Sequence, residues 1–551
     1  MIMTTRNTGN TQIIRVLLSV LPIAILLFAC KKSVLDEVPE AFLASDVVLV
    51  DKVGFDNYIT ALHQAAREEL SGEDLGRFPD MNLGTDVGTT GQEQSVNFRN
   101  YNTFLTPSAG AVSSPWNWAY TQMILRANTI IDYANKPELA GIWASEAEKN
   151  AVIAEAKFFR AYTYNFLANL YGGVPIVDKT FQSPKTDFVR NKREEVYAFA
   201  KADLEFAVQY LPATVAKTSE GRIVKGAAQH LLTEVYISTG ELDKSIATAS
   251  DLISSGTYKL MTTRFGVNAG KPGDVYADLF AEGNQNRSSG NLETIYVWQY
   301  ENLTPGGEGS NNGNNTIRQW VPALWNLKDP AGVNGFILVD SLNRGVAYSR
   351  PTSWFLYDLW ASDWNNDIRN SVYNIRRKIY YNNPASAYFG KEVEPRTTQE
   401  DTMRNIYPYL RKLEGKPFNG DNASGRTGKD WIVYRLAETY LLRAEAYMRK
   451  GDLVKAAADI NAVRGRSNAK LIAAADVTLD YILDERAREL ITEEPRRRTL
   501  TRVGKLVERT RKYQTRADVR STIQDKHAFY PIPQSAIDAN FSAKLEQNPG
   551  Y

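Results

Sequence analysis

Apolar residues recur at three- and four-residue steps through most of the chain, and the clearest run is Arg435 to Ser467. Leu436, Tyr440, Leu441, Ala444 and Tyr447 share one helix face. Gly451 ends that helix, because glycine enters the left-handed conformation past a helix end without a Cβ penalty. Asp452 is placed to cap a second helix, whose apolar face is Leu453, Ala456, Ala457, Ile460 and Val463. The pattern occurs twice. From His230 to Ile253, Leu231, Glu234, Tyr236, Gly240, Leu242, Lys244 and Ala247 correspond to Leu442, Glu445, Tyr447, Gly451, Leu453, Lys455 and Ala458, 211 positions later. Two copies of helix, glycine turn and helix read as tetratricopeptide-type hairpins, which cannot bury their apolar faces alone and must stack. The fold class expected is mainly α, a tetratricopeptide-like helical scaffold whose two copies bracket the middle of one interleaved body.

The same period predicts a helix over Gly54–Leu70, and another over Asn191–Leu211. Ser114-Pro115 reads as the cap and first turn of a helix with Trp116, Tyr120, Met123, Ile124, Ala127 and Ile131 on one face. Ser145 and Glu148 make a capping box for a long helix that ends at Gly172-Gly173. The period fails in two places. Ser71–Ser114 mixes Gly, Asn, Thr and aromatics; a loop of that length is functional or disordered more often than idle, and its aromatics argue against disorder. From Tyr258 to Asp430 there is a strand at Glu293–Tyr300, Gly/Asn-rich loops at Asn302–Thr316 and Phe418–Gly428, and a crowd of tryptophans. The chain therefore divides into segments 1–29 and 30–53, a helical scaffold at 54–257 with a loop at 71–114, a loop-rich ligand-binding insert at 258–430, and a C-terminal scaffold and tail at 431–551.

Arg6 and Arg15 precede the apolar run Val16–Phe28, which is shorter than the ~20 residues of a membrane span and reads as a signal peptide. It closes on Leu27-Phe28-Ala29-Cys30, so Cys30 is the expected site of lipid attachment and residues 30–53 a tether to the membrane. Cys30 is the only cysteine, which excludes an intramolecular disulfide. The chain carries 65 Lys and Arg against 63 Asp and Glu, and this balance gives no basic footprint for nucleic acid.

Catalytic chemistry is sparse. The three histidines, His63, His230 and His527, lie far apart in no zinc spacing, and no GxSxG elbow occurs. His230 is read as a packing residue. Gly266–Lys271 has the wrong spacing for a phosphate loop. Asp363-x-Asn365-x-Asp367 starts like a calcium loop but has Ile368 and Asn374 where glycine and the bidentate Glu belong. Glu485, Arg486, Glu489, Glu493, Arg496 and Arg502 read as a salt-bridged face joining helices. No catalytic residue, metal or cofactor is expected.

Taken in order, several pieces together resemble the SusD/RagB family of surface lipoproteins. They are Cys30 followed by Leu35-Asp36-x-x-Pro39, Trp118-x-Tyr120 leading to Arg126-Ala127-Asn128, and Arg160-Ala161-x-x-Tyr164 closing on Leu170–Pro175. Arg435-x-Ala437-Glu438-x-Tyr440-Leu441, Glu485-Arg486-x-x-Glu489-Leu490, Tyr530–Pro533 and Gln547–Tyr551 complete the series. Glu494-Pro495, Arg497 and Thr499 depart from the family pattern. The resemblance implies a helical fold with an irregular ligand face, lipid-anchored at the outer membrane and facing outward. It also implies capture of a glycan or peptide for a SusC-like TonB-dependent transporter, without enzymatic activity.

Flat aromatic side chains cover the C–H faces of sugar rings at low entropic cost, and carboxylates, amides and Arg bond the hydroxyls. The candidate ligand residues are Phe78, Asp86, Phe98 and Tyr101 from the first loop, with Tyr296, Trp298, Trp320 and Trp325 from the insert. Trp320 follows a polar loop, outside any regular apolar period, and is expected to stand at a surface. The competing reading makes these aromatics core, and the protein a helical-repeat scaffold that binds other envelope proteins.

Overall fold

The computed structural model describes residues 45–71, 81–92, 98–301, 304, 313–339, 342 and 344–551. Met1–Val50 and Asp51–Tyr551 form separate units, and the described part of the first holds a short helix, Ser45–Val48. Cys30, Phe78 and the apolar run Val16–Phe28 lie outside the described residues. No helix among the described residues is long and apolar enough to cross a membrane.

The scaffold begins with α1 (Lys52–Ser71) and the shorter α2 (Gly110–Asn117) and α3 (Leu125–Ala134). The long α4 (Glu146–Leu170) follows, then α5 (Arg193–Tyr210), α6 (Lys225–Ser238) and α7 (Leu242–Ser254). After the insert come α8 (Leu436–Arg449), α9 (Leu453–Arg466), α10 (Leu479–Leu490) and α11 (Arg496–Arg502). Each helix from α4 to α9 packs on the next, so α4–α5 is a third hairpin ahead of the two read from the sequence.

The two repeat copies touch directly, through α7 on α8. Ile237 meets Leu442 and Ala446 there, flanked by Leu242 and Ile246. The expected face of the second copy is buried as one cluster of Ala437, Leu441, Ala444, Ala456, Ala457, Ile460 and Val463. Gly240 and Gly451 turn the two hairpins at φ +78° and +82°. The Asp452 carboxylate accepts from the Lys455 amide at 3.1 Å and caps α9.

One helix start differs from the expectation. Ser114-Pro115 does not open a helix: Pro115 lies inside α2, which begins at Gly110. Proline has no N–H to give, and the helix widens directly after it into a π-helical stretch, Trp118–Ile124, before α3.

The insert leaves and rejoins the scaffold through one ribbon. Strand β2 (Thr294–Trp298) pairs antiparallel with β6 (Trp431–Arg435), and β6 runs straight into α8. Within the insert, β3 (Ser349–Pro351) pairs with β1 (Gly88–Thr90) of the first loop, and β4 (Ile375–Arg376) with β5 (Tyr409–Leu410). The insert has its own apolar core, which includes Ile317, Val321, Leu324, Phe336, Ile379 and Tyr407.

Where the ribbon meets α8 to α10, charges are buried in a closed network. Arg435 contacts Glu293 at 2.9 Å, Glu493 at 2.6 Å, and Glu489. Arg466 shares Glu293 and Glu489. Arg369 of the insert reaches Asp367 at 2.7 Å and both Glu485 and Glu489 at 2.8 Å. A second group links Arg486 to Glu438 and Glu494, and Arg496 to Glu494 and Asp86. The acid–base row read from the sequence is this network, contributed by α10, α11 and the turn between them. His230 is buried, 2.8 Å from Thr439 Oγ1 and against the Tyr434 ring. Asp363 and Asp367, which begin like a calcium loop, bind Arg464 and Arg369.

Two outcomes follow for stability. Nothing lies within 4 Å of a Cβ built on Gly451, so a side chain there meets strain but no clash. Gly451→Val is expected to cost roughly 1–3 kcal/mol in thermal or urea unfolding, and Gly451→Asn, which tolerates positive φ, clearly less. Equal melting temperatures for Val, Asn and Gly would refute the assignment. The second outcome concerns acid. Arginines hold Glu438 and Glu485 at about 2, below the ordinary 4.5, against the opposing effect of burial. Carboxylates depressed on folding add stability above their unfolded values, and that stability is lost as pH falls through the folded ones. The melting temperature is expected to fall steeply between about pH 4 and pH 2. A melting temperature that held constant over that window would show that these carboxylates are not ion-paired in solution.

Candidate ligand face

The described parts of three polar segments that interrupt the helical period make contacts with the insert. The first arrives through β1, whose Thr90 stands opposite Ser349 and Gly88 opposite Pro351. Beyond it, Gln92 Nε2 donates to the Val346 carbonyl at 2.9 Å. The end of the second loop is held by an Asn314–Thr427 bridge, which ties it to the third. The third, Phe418–Gly428, leans on two arginines, with Arg318 Nη1 donating to the Ser424 carbonyl at 3.1 Å and Arg344 Nη1 to that of Ala423 at 3.5 Å.

Trp325 sits in this strip, in the turn Leu324–Asn326. Its indole N–H donates to the Gly345 carbonyl at 2.8 Å, and the Arg344 guanidinium lies 4.9 Å from its ring centre. The ring is half-buried. An indole fixed by its N–H and backed by a cation keeps a defined orientation, which suits stacking on a flat ligand. Sequence reasoning named Trp325 as a candidate but not Arg344, which carries no motif and is placed only by the folded strip.

The other candidates are placed differently. Asp86 is buried and bonded to Arg496 Nε and Nη2 at 2.9 and 2.7 Å and to Arg509 Nε at 2.7 Å. Those guanidinium groups outweigh burial and hold its carboxyl at about 2. It is an ion-pair hub for α11, and no lone pair is turned to solvent for a sugar hydroxyl. Phe98 and Tyr101 are fully buried. Their rings lie 4.3 and 5.2 Å from the Arg497 guanidinium, with Tyr530 at 5.8 Å. Arg497, one of the departures from the family pattern, is thus held in an aromatic cage, and two expected sugar platforms form its walls.

Tyr296 and Trp298 lie on β2, whose residues are all buried. Tyr296 packs among His63, Phe158 and Tyr434. Trp298 lines a cavity of about 60 Å³ with Trp431 and Tyr434. The expectation that Trp320 stands at a surface is corrected: it is 4% exposed and ends a five-residue helix, Thr316–Trp320. Its ring is tucked under β1, where a Cβ on Gly88 would come within 3.0 Å of it. A helix of that length shows no apolar period, so its buried tryptophan looked unplaced. Of the eight candidates, Phe98, Tyr101, Tyr296, Trp298 and Trp320 are core aromatics and Asp86 is an ion-pair partner. That leaves Trp325 on the face and Phe78 outside the described residues.

Larger cavities lie elsewhere. One of about 460 Å³ is lined by Trp116, Tyr120, Leu125, Phe181, Phe188 and Leu545 on the scaffold. Another of about 560 Å³ lies between Arg264, Phe280, Lys412 and Glu414. Among the described residues no cluster of His, Cys, Asp and Glu is arranged to hold a metal. The loop face offers a fixed ring, guanidinium groups and amides.

Comparison with known proteins agrees with this architecture. The profile of the SusD family matches residues 300–551, and that described as starch-binding associating with outer membrane matches residues 35–237. A SusD-like protein of Formosa agariphila is 26% identical over 365 residues, 66% of this chain and 62% of its own length. The starch-binding protein SusD of Bacteroides thetaiotaomicron is 26% identical over 437 residues, 74% of each chain. Surface glycan-binding protein A of Bacteroides thetaiotaomicron, solved in complex with laminarihexaose, superposes with a TM-score of 0.67 at 20% identity, covering 90% of this chain and 99% of its own. With a repeat scaffold of stacked hairpins, an insert closed by the β2–β6 ribbon, and profile matches over both halves, the chain belongs to the SusD/RagB family.

Proposed function

We propose that this protein is a lipoprotein anchored through Cys30 at the outer membrane, facing outward, which captures a glycan and delivers it to a SusC-like TonB-dependent transporter. The observation that carries the reading is the match to the family over both halves of the chain, with a starch-binding protein among the curated relatives. The loop face supports it. Its half-buried Trp325, backed by Arg344, is the kind of group that stacks on a sugar ring without losing much freedom. The proposed role is capture, as the names of the starch-binding and glycan-binding relatives suggest.

Binding is tested by native affinity gels cast with starch, laminarin and other polysaccharides. Retardation by at least one is expected, and retardation by none would sink the glycan reading in favour of a peptide or protein ligand. Two tryptophans then separate binding from folding. Trp325→Ala is expected to weaken capture about tenfold with little change in melting temperature. Trp320→Ala is expected to lower stability by about 3–5 kcal/mol, as for any large buried ring. If Trp320→Ala kept its melting temperature and lost the glycan, the roles given to the two residues would be reversed.

Anchoring is tested by fractionation. Cys30→Ala is expected to move the protein from the membrane to the soluble fraction in cells lacking the barrel partner. A variant that still pellets with membranes after washing would show that Cys30 is not the anchor.

A further inference from the structure

Two aromatic side chains of the insert stand in solvent, outside both the scaffold and the insert core. Tyr357 is 46% exposed and Trp364 41% exposed. Their rings are within 10° of parallel, with centres 6.4 Å apart, an offset pair. The Arg377 guanidinium lies 4.6 Å from the Trp364 ring centre. It is fixed in turn by donating to the Leu356 carbonyl at 2.8 Å and to Asn370 Oδ1 at 2.6 Å. One face of the indole is therefore occupied, and its exposure comes from the rest of the ring.

The turn that carries Trp364 is held from below. Asp363 accepts from the Lys470 amide at 2.9 Å and from Arg464 Nη2 at 2.7 Å. Asn370 Nδ2 donates to the Trp364 carbonyl at 2.7 Å, and Asn468 Nδ2 to that of Asn366 at 3.2 Å. These supports come from α9, the segment after it and Asn370 of the insert, not from the three loops of the ligand face. Asp363, which opens the calcium-like pattern, thus acts as a strut of an aromatic display. Rings held on a locked turn lose little freedom when something stacks on them.

We propose that Tyr357 and Trp364 form a second glycan platform, which takes the C–H faces of sugar rings in a polysaccharide chain. Asp358, Asn365 and Asn366, all exposed beside the rings, supply groups for the sugar hydroxyls. A protein partner anchors on rings that enter dry pockets. Here the rings are near-parallel, and exposed carboxylate and amide residues adjoin them in the chain, which favours a wet, flat ligand. Two sites on one molecule hold a long chain far more firmly than either alone, provided that the chain spans both. The platform rests on the glycan-capture reading, and its test separates the two.

The detergent-solubilised full chain is run in native gels cast with starch, laminarin, xylan or pectin. Wild type is expected to be retarded by at least one of these. The Tyr357→Ala/Trp364→Ala protein is expected to melt as wild type does and to bind that polymer about tenfold more weakly. Trp364→Phe is expected to restore most of the binding, and Val372→Ala, at a neighbour 70% exposed, to change nothing. Equal retardation of wild type and the double variant overturns the platform and leaves glycan capture standing. No retardation of wild type overturns both. A lowered melting temperature in the double variant and in Trp364→Phe assigns the rings to the fold and overturns the platform. Unchanged glycan binding with loss of co-purification with the barrel assigns them to a protein contact and likewise overturns it.

Discussion

The buried ion pairs between the ribbon and helices α8 to α10 are the constraint on which the rest of the architecture depends. Arg435 closes β6 and caps α8, so it stands where the insert returns to the scaffold. Its partners come from three places: Glu293 just before β2, Glu489 in α10, and Glu493 in the turn after it. Arg369 adds the insert, and Arg466 the end of α9. Charges taken out of water cost several kcal/mol each, and the cost is offset only where every partner is present and well oriented. Such a network therefore tolerates few arrangements. It fixes where the insert joins the scaffold more narrowly than apolar packing, which accepts many near-equivalent contacts, would do.

The scaffold was legible because its information is periodic. Leu441, Ala444, Ala456, Ile460 and Val463 are spaced by a helix and are buried as one cluster. Gly240 and Gly451 stand where a turn of positive φ is needed, and both have it. The α4–α5 hairpin shares the architecture but joins its helices through residues 171–192 instead of one short glycine turn, so it showed only as two helices. The start of α2 was misplaced because Ser-Pro is a strong local signal, and tertiary packing here carries a helix through the proline into a wider turn.

The ligand face was less legible, for a physical reason. An aromatic residue in an aperiodic segment has the same local sequence whether it is core or surface. Phe98, Tyr101 and Trp320 stand among polar neighbours in the chain, yet Arg497 and Gly88 meet them from distant segments and close them off. Asp86 shows the same for charge. A loop carboxylate reads as a ligand group until Arg496 and Arg509, over four hundred positions later, claim it. What did carry through was the grouping of segments, since the first loop and the insert meet in the β1–β3 ribbon.

These two kinds of legibility follow from one division of labour. Stacked hairpins and ion pairs fix the body, and backbone bridges and hydrogen bonds hold loop ends to it, as Asn314 does with Thr427 and Gln92 with Val346. The middle of a loop held in this way can change its residues without moving its ends, because loop-closure entropy depends only weakly on length and composition. A capture protein gains from that freedom, since ligand choice then rests on the few side chains between the anchors. The helices and the network, which every ligand would need alike, are the parts that a family profile recognises in both halves of this chain. Rings proposed to meet a glycan lie outside any pattern that fold or charge pairing imposes, so exposure and orientation in three dimensions are what single out Tyr357 and Trp364 and separate Trp325 from the buried candidates.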